Sequence, residues 1–492
     1  MIGAVQDSLD CSAASVRLCP APICLSTGMA GWTRSSLALE ARIGLAPAVR
    51  PTASALLDSF LPGSGGWFAA LLAALCLFAY APALNNGFIS DDYLMLEWVR
   101  VWTQDFSFLF KIAPDVFRIT SYAILWMLER VFGPSPEYFY AFVISVHFVN
   151  SLLLWKVLRL VTQSPRASSL AAIVFVVFQN PQEAVMWLAA MGDALAGLCV
   201  LGALLLWLRK HFVASALCYL VGLFSKESAI VFLFLLPLIE FSMTRQVRLR
   251  RQHFYLLIPT LVFSAVFVYS ASANYMVGGG IYEFGPQALL VLGVSLHRLM
   301  FPWFYGGVLV FVISQRRALP RETGMGLAWM TISLLPFVFL VYQNHVPSRH
   351  EYLASMGLAW ALSTLLAHVT LSRLRLGFIV GFAAINIGYL WTVKDQQFVR
   401  RAAPTTRMLE QLRAHPPGPL LVLDFPLNPW MARMTAWMVP GWRPDMIRVE
   451  ELPEACAGCL VLKWNRATEN FEPLPVHEPA VQSPVPETSA SP

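Results

Sequence analysis

Apolar runs of membrane-spanning length recur along this chain, separated by short polar segments. They occupy 66–84, 137–158, 168–180, 189–208, 212–224, 228–243, 254–271, 299–314, 325–342, 351–371 and 376–393. A helix needs about 20 mostly apolar residues to cross a hydrocarbon core of about 30 Å. The pattern therefore predicts an all-α polytopic membrane protein of about 11 transmembrane helices over 66–393. Two runs, 168–180 and 212–224, reach only about 20 Å at 1.5 Å per residue. Their ends, near Asn180-Pro181 and Ser225-Lys226, are expected to lie recessed below the surface, in protein or beside a wet cavity.

The period changes past residue 393. FVRRAAPTTRMLEQLRAH reads as an amphipathic helix, and PLLVLDFP and CLVLKWN read as short buried strands. Together they predict a small C-terminal external α/β appendage over 394–470. The remainder, 471–492, is rich in Pro, Ser and Glu and is expected to be a disordered tail. Residues 1–65 mix Ser, Ala, Pro and Arg without a sustained period and lack the layout of a signal peptide. They read as a poorly ordered cytoplasmic extension, and Met29 is an equally good natural start.

Composition agrees with this reading. The 492 residues are 57% hydrophobic and 13% charged, about half the charge of a soluble domain, with a mean hydropathy of +0.59. A soluble enzyme is excluded. The net charge of +6 is no nucleic-acid signal, because the basic residues sit in short clusters between apolar runs. Those clusters are Lys156, Arg159 and Arg166; Arg209 and Lys210; Arg245, Arg248, Arg250 and Arg251; Arg316, Arg317 and Arg321; Arg373 and Arg375. They fall after every second span, so the positive-inside rule puts all five in the cytoplasm. The N-terminus is then cytoplasmic and the C-terminus external. Cys76, Cys199 and Cys218 read as core thiols, while Cys456 and Cys459 form a lone CAGC that admits a local disulfide but no zinc site.

The opposite loops hold a different set of residues. Asp91, Asp92, Asp105, Asp115 and Arg118 lie in the first (85–136), and Glu183 and Asp193 flank the second. Lys226 and Glu227 form the third, Glu283 lies in the fourth, and Arg349, His350 and Glu351 close the fifth. In FISDDYLMLEWVR, Ser90 is a good N-cap and the two acids favour a helix start. A capped interfacial helix is the plain reading. Yet one cap suffices, and a second acid beside lipid adds desolvation cost. Lys226 and Arg349 stand at span starts, where a cation opposes the helix dipole by a few tenths to about 1 kcal/mol. Snorkelling accounts for each singly, but two on one face point to an anion between them, such as a phosphate. Acids beside a phosphate site at lipid level imply a substrate with a phosphate head and an oily tail.

Several segments resemble the GT-C superfamily of polyprenyl-phosphate-sugar-dependent glycosyltransferases, particularly its protein O-mannosyltransferase-like branch. FISDDY is similar to that branch's F-x-x-DD-Y signature. FRITSYAILWMLERVFGPSPEYFYAFVISVHFVN resembles a stretch with an R-P-L start, an F-G-x-x-P centre and an H-x-x-N. QEAVMWLAAMGDALAGL, FSKESA and SRHEYLASMGLA resemble three further elements, in order, within about 66–393. The resemblance implies Asp91 as catalytic carboxylate with Asp92 as partner or metal-proximal acid. It implies Lys226, Arg349 and Arg118 as donor-phosphate contacts and Glu183, Asp193 and Glu227 as cavity acids. Ile119 replaces the Pro expected after Arg118, Phe178-Gln179 stands where some relatives have His-Pro, and no tetratricopeptide repeats follow.

The expected activity is that of an inverting glycosyltransferase at the outer face of a bacterial inner membrane. Its donor would be a polyprenyl-phosphate-linked sugar and its acceptor a periplasmic glycan, lipid or protein, among membrane lipids and without nucleic acid. A divalent metal, Mg or Mn, is compatible with the class, but no ligand cluster calls for one. The rival classes are a secondary transporter or lipid-linked-substrate flippase, and a membrane scaffold. Charges at mid-span and repeat symmetry, the marks of a transporter, are not evident. His147 and Asn150, one turn apart, read as a hydrogen-bonded helix contact.

Overall fold

The computed structural model describes residues 65–105, 118–246, 248–271, 282–315, 318–340, 344–450 and 459–474. The expectations for 1–64, Asp115, Arg316, Arg317, Cys456 and 475–492 lie outside the described residues.

The chain is mostly helical with a small C-terminal sheet. Helices α1 (Gly65–Tyr80), α2 (Asp91–Gln104), α3 (Ile119–Phe132), α4 (Pro136–Thr162) and α5 (Pro165–Val177) come first. Then follow α6 (Met191–Leu208), α7 (Phe212–Leu223), α8 (Phe232–Thr244) and α9 (Leu257–Ala271). Next are α10 (Gln287–Met300), α11 (Trp303–Gln315), α12 (Arg321–Leu334), α13 (Tyr352–His368) and α14 (Ser372–Tyr389). Among the described residues, six helical stretches are long and apolar enough to cross a membrane. They become seven if α10 and α11, bent by 59°, form one span, and α5 and α7 are shorter apolar helices. The count of about 11 is therefore not reproduced. The run expected at 299–314 begins in the last turn of α10 and crosses the bend.

Helix α13 is buried on nearly every side, as an all-round apolar helix must be at the centre of a bundle. It packs backbone to backbone on α12. A Cβ at Gly326 or Gly357 would overlap the partner helix's main chain, so only small residues permit this crossing. His147 and Asn150 are fully buried, and their contact spans helices. His147 Nδ1 lies 2.7 Å and Asn150 Nδ2 2.9 Å from the Tyr352 hydroxyl, and Asn150 Nδ2 also donates to the Ala194 carbonyl at 2.9 Å.

Helix α14 does not stop where the apolar run ends. It passes through a π-helical turn, Leu390–Lys394, into α15 (Asp395–Ala414), a helical stretch of 43 residues from Ser372. Strands β1 (Leu420–Leu423), β2 (Ile447–Glu450), β3 (Leu460–Asn465) and β4 (Asn470–Leu474) form one sheet in the order β2-β1-β3-β4. β1 runs parallel to β2 and β3, and β4 runs antiparallel to β3. Met408, Leu409 and Leu412 of α15 pack on Leu420, Val422, Leu462 and Phe471 to form a separate small core. Strand β4 occupies residues expected to begin the tail, because Phe471 finds a place in that core. Cys459 is disulfide-bonded.

Candidate active site

The GFISDD turn is held by close approach. A Cβ at Gly87 would collide with Thr406 Oγ1 of α15, and the Thr405 hydroxyl donates to the Phe88 carbonyl at 3.2 Å. Ser90 has φ +47°, a conformation that costs a non-glycine residue on the order of 1–3 kcal/mol and persists only where its surroundings impose it. Ser90 does not cap α2 through its side chain, as the sequence predicted; its hydroxyl donates to Asp91 Oδ1 at 3.1 Å instead.

The adjacent aspartates have different surroundings. Asp92 is fully buried. Its Oδ2 accepts from the Ile89 amide at 2.8 Å and its Oδ1 from the Ala189 amide at 2.7 Å, so it ties the turn to a segment 97 residues away. Burial pushes its carboxyl up to about 8, against the pull of the two amides. Asp91 is exposed at the helix start.

The segment tied by Asp92 carries the next group of residues. Glu183 opens the helical turn Glu183–Met186, and the Trp187 indole donates to the Ile89 carbonyl at 3.4 Å. Two guanidiniums lie over the Trp187 ring, Arg349 at 5.2 Å and Arg401 at 4.7 Å. Both also pair with Glu183, at 3.5 Å and 3.7 Å respectively. Trp187 and Glu183 thus hold two cations against the segment that is hydrogen-bonded to the aspartate turn.

Behind this group lies a second ionic network. Lys226 Nζ meets Asp193 Oδ2 at 3.2 Å, and His350 Nδ1 meets Asp193 Oδ1 at 3.3 Å. Arg118 forms a two-pronged pair with Glu227, 3.0 Å and 3.3 Å. Lys226 is 3% exposed, and burial and Arg118 push its ammonium below the usual lysine range, against Asp193. Burial also pushes the His350 imidazole down to about 4, and its ring stacks on Phe337 at 4.2 Å. The anion expected beside the misplaced cations is, for Lys226, the protein's own Asp193. Lys226 and Arg349 therefore belong to neighbouring clusters and do not share one bare anion site. Among the described residues, no group of three or more His, Cys, Asp or Glu is placed to hold a metal.

These contacts join five segments expected on one face. The first and third loops meet through Arg118 and Glu227, and the second and third through Asp193 and Lys226. The fifth reaches the second through Arg349 and His350, and the tail through Arg401. The sequence reading missed Arg401 and Trp187. FVRRAAP read only as part of an amphipathic helix, and Trp187 stood within the QEAVMWLAAMGDALAGL element without a role of its own. Only the contrast of exposed Arg400 with half-buried Arg401 separates the two arginines.

No family model matches the chain, and no curated protein matches it in sequence. Among solved structures it is similar to the Archaeoglobus fulgidus oligosaccharyltransferase, crystallised tethered to an acceptor peptide containing the NVT sequon via a disulfide bond. The identity is 11% and the TM-score 0.37, over 76% of this chain and 63% of that chain.

Proposed function

We propose that the protein is a membrane glycosyltransferase that moves a sugar from a polyprenyl-phosphate donor to an acceptor on the outer face of a bacterial inner membrane. The observation that carries this reading is the exposed carboxylate of Asp91 on a strained turn. The buried Asp92 beside it ties that turn to the segment of Glu183 and Trp187, against which Arg349 and Arg401 are held. Asp91 takes the proton of the acceptor's hydroxyl or amine as that atom attacks the anomeric carbon from the face opposite the phosphate. The glycosidic C–O bond breaks, and the polyprenyl phosphate leaves with the bonding pair. It needs charge stabilisation more than a proton, and Arg349 and Arg401 supply it. Asp92, Lys226, Arg118, Asp193 and Glu227 act as positioning residues, holding the loops that present these groups.

Mass spectrometry of periplasmic glycoconjugates tests the proposal. A strain lacking the gene is expected to lose one sugar from one class of conjugate, and the plasmid-borne gene to restore it. An unchanged profile, with lipid-linked sugar moving across vesicles and no covalent product, would favour the flippase reading instead.

A further inference from the structure

We infer that a pocket beside the Arg349–Glu183 pair reads the sugar of a phosphate-linked glycosyl headgroup, the buried Glu351 carboxyl accepting a sugar hydroxyl while Arg298 and Lys394 join Arg349 around the phosphate. The inference rests on the donor class proposed above; it gives a role to Glu351, which the pattern placed among the outer-face residues without one, and adds Arg298 and Lys394.

The cavity is about 290 Å³, with Gln182, Glu183, Arg298, Arg349, Glu351 and Lys394 among its walls. Three elements converge on it that do not carry the aspartate turn. Arg298 comes from the last turn of α10, beside the 59° bend. Glu351 ends the turn Ser348–Glu351 ahead of α13. Lys394 ends the π-helical turn between α14 and α15, an irregularity frequent at functional sites.

Glu351 is 0% exposed, and neither carboxyl oxygen has a hydrogen-bond partner. Burying such a group unpaired is costly, so an acceptor with nothing to accept points to an absent donor. Glu183 is already engaged by Arg349 and Arg401. That leaves Arg298 and Lys394 as the cations acting on the Glu351 carboxyl. A free phosphate would suit them, but even a protonated Glu351 could give it only one hydrogen, leaving the other carboxyl oxygen without a donor. A neutral sugar would suit Glu351 but leave the cations idle. A ligand with hydroxyls beside a phosphate satisfies both.

The test measures binding of undecaprenyl phosphate, bare or carrying a hexose, to the full-length protein in detergent. Mannose- and glucose-bearing lipids serve as the hexose probes. Wild type is expected to bind one hexose-bearing lipid at least about tenfold more tightly than the bare lipid, the scale of one well-made hydrogen bond. Glu351→Ala should abolish that preference without weakening bare-lipid binding, and the double variant R298A/K394A should weaken both lipids. Without lipid, Glu351→Gln should be no less thermostable than wild type, because it removes an unpaired carboxyl. A preference retained in Glu351→Ala, or absent from wild type, overturns the inference. So does a Glu351→Gln protein that is destabilised yet selective, which marks a structural role. If wild type still transfers sugar, only this subsite falls. If it neither binds nor transfers, the donor class falls with it.

Discussion

At the scale of single residues, two neighbouring acids have opposite surroundings, Asp91 exposed and Asp92 buried. Asp92 has both oxygens spent on amides, so Asp92→Asn turns a donor toward one of those N–H groups. It is expected to cost about 1–3 kcal/mol and lower the thermal midpoint, whereas Asp91→Asn leaves the midpoint unchanged; fluorescence-detected unfolding in detergent checks both. The adjacency of the two aspartates was legible in FISDDY. Their difference in surroundings was not, because the Ala189 amide that claims Asp92 is brought in only by the fold. Likewise, the dipole argument marked Lys226 as anomalous, but no sequence rule names Asp193 as its partner.

His350 gives a pH signature at the same scale. Its folded value of about 4 lies below the ordinary value near 6.5, so between these pH values the unfolded chain binds the extra proton. The stability due to neutral His350 is therefore present above about pH 6.5 and lost as pH falls toward 4, by up to about 3 kcal/mol. Asp92 works in the opposite sense, since the folded state keeps a proton that the unfolded chain releases, and its contribution falls as pH rises from about 4 toward 8. The His350 effect is read as a difference. The midpoint of wild type minus that of His350→Gln should rise between pH 4 and 6.5 and stay flat above. A flat difference throughout would contradict the burial of His350 against Asp193, Lys226 and Arg349.

At the scale of elements, apolar length located most helices but not how they join. The sequence separated a last span from an external helix at residue 394. In the structure, one helical stretch runs through that point and lays α15 over the GFISDD turn. Period and composition describe each half correctly, yet continuity across the π-helical turn is decided by what Gly87, Thr405 and Thr406 touch. The active-site reading predicts that Arg401→Ala lowers sugar transfer at least about tenfold, having lost a charge on the leaving phosphate. Arg400→Ala, one residue away on the exposed face, should stay within about twofold. Equal effects in a transfer assay would remove α15 from the site.

For the whole molecule, the positive-inside pattern and the ion pairs agree on which segments share an end. α6 carries Asp193 near one end and Trp207 near the other, about 21 Å apart at 1.5 Å per residue. Asp193 meets Lys226 and His350, while the Trp207 indole donates to Glu240, which also pairs with His253. The helix α4 tests the orientation, because exposed Glu137 and Gln163 sit at its two ends. With native thiols blocked, an impermeant maleimide added to intact cells should label Glu137→Cys and leave Gln163→Cys unlabelled until the membrane is opened. The reverse pattern would turn the site to the cytoplasm.

The most direct test of the central claim is the rate of sugar transfer by Asp91→Asn. The purified full-length variant, matched to wild type in yield and thermal midpoint, would be given an undecaprenyl-phosphate-linked hexose and the acceptor found by glycoconjugate mass spectrometry. Transfer is expected to fall by about 10²–10⁴-fold, the range of a lost general base, with donor binding retained. A correctly folded Asp91→Asn protein that transfers sugar at the wild-type rate would contradict the account.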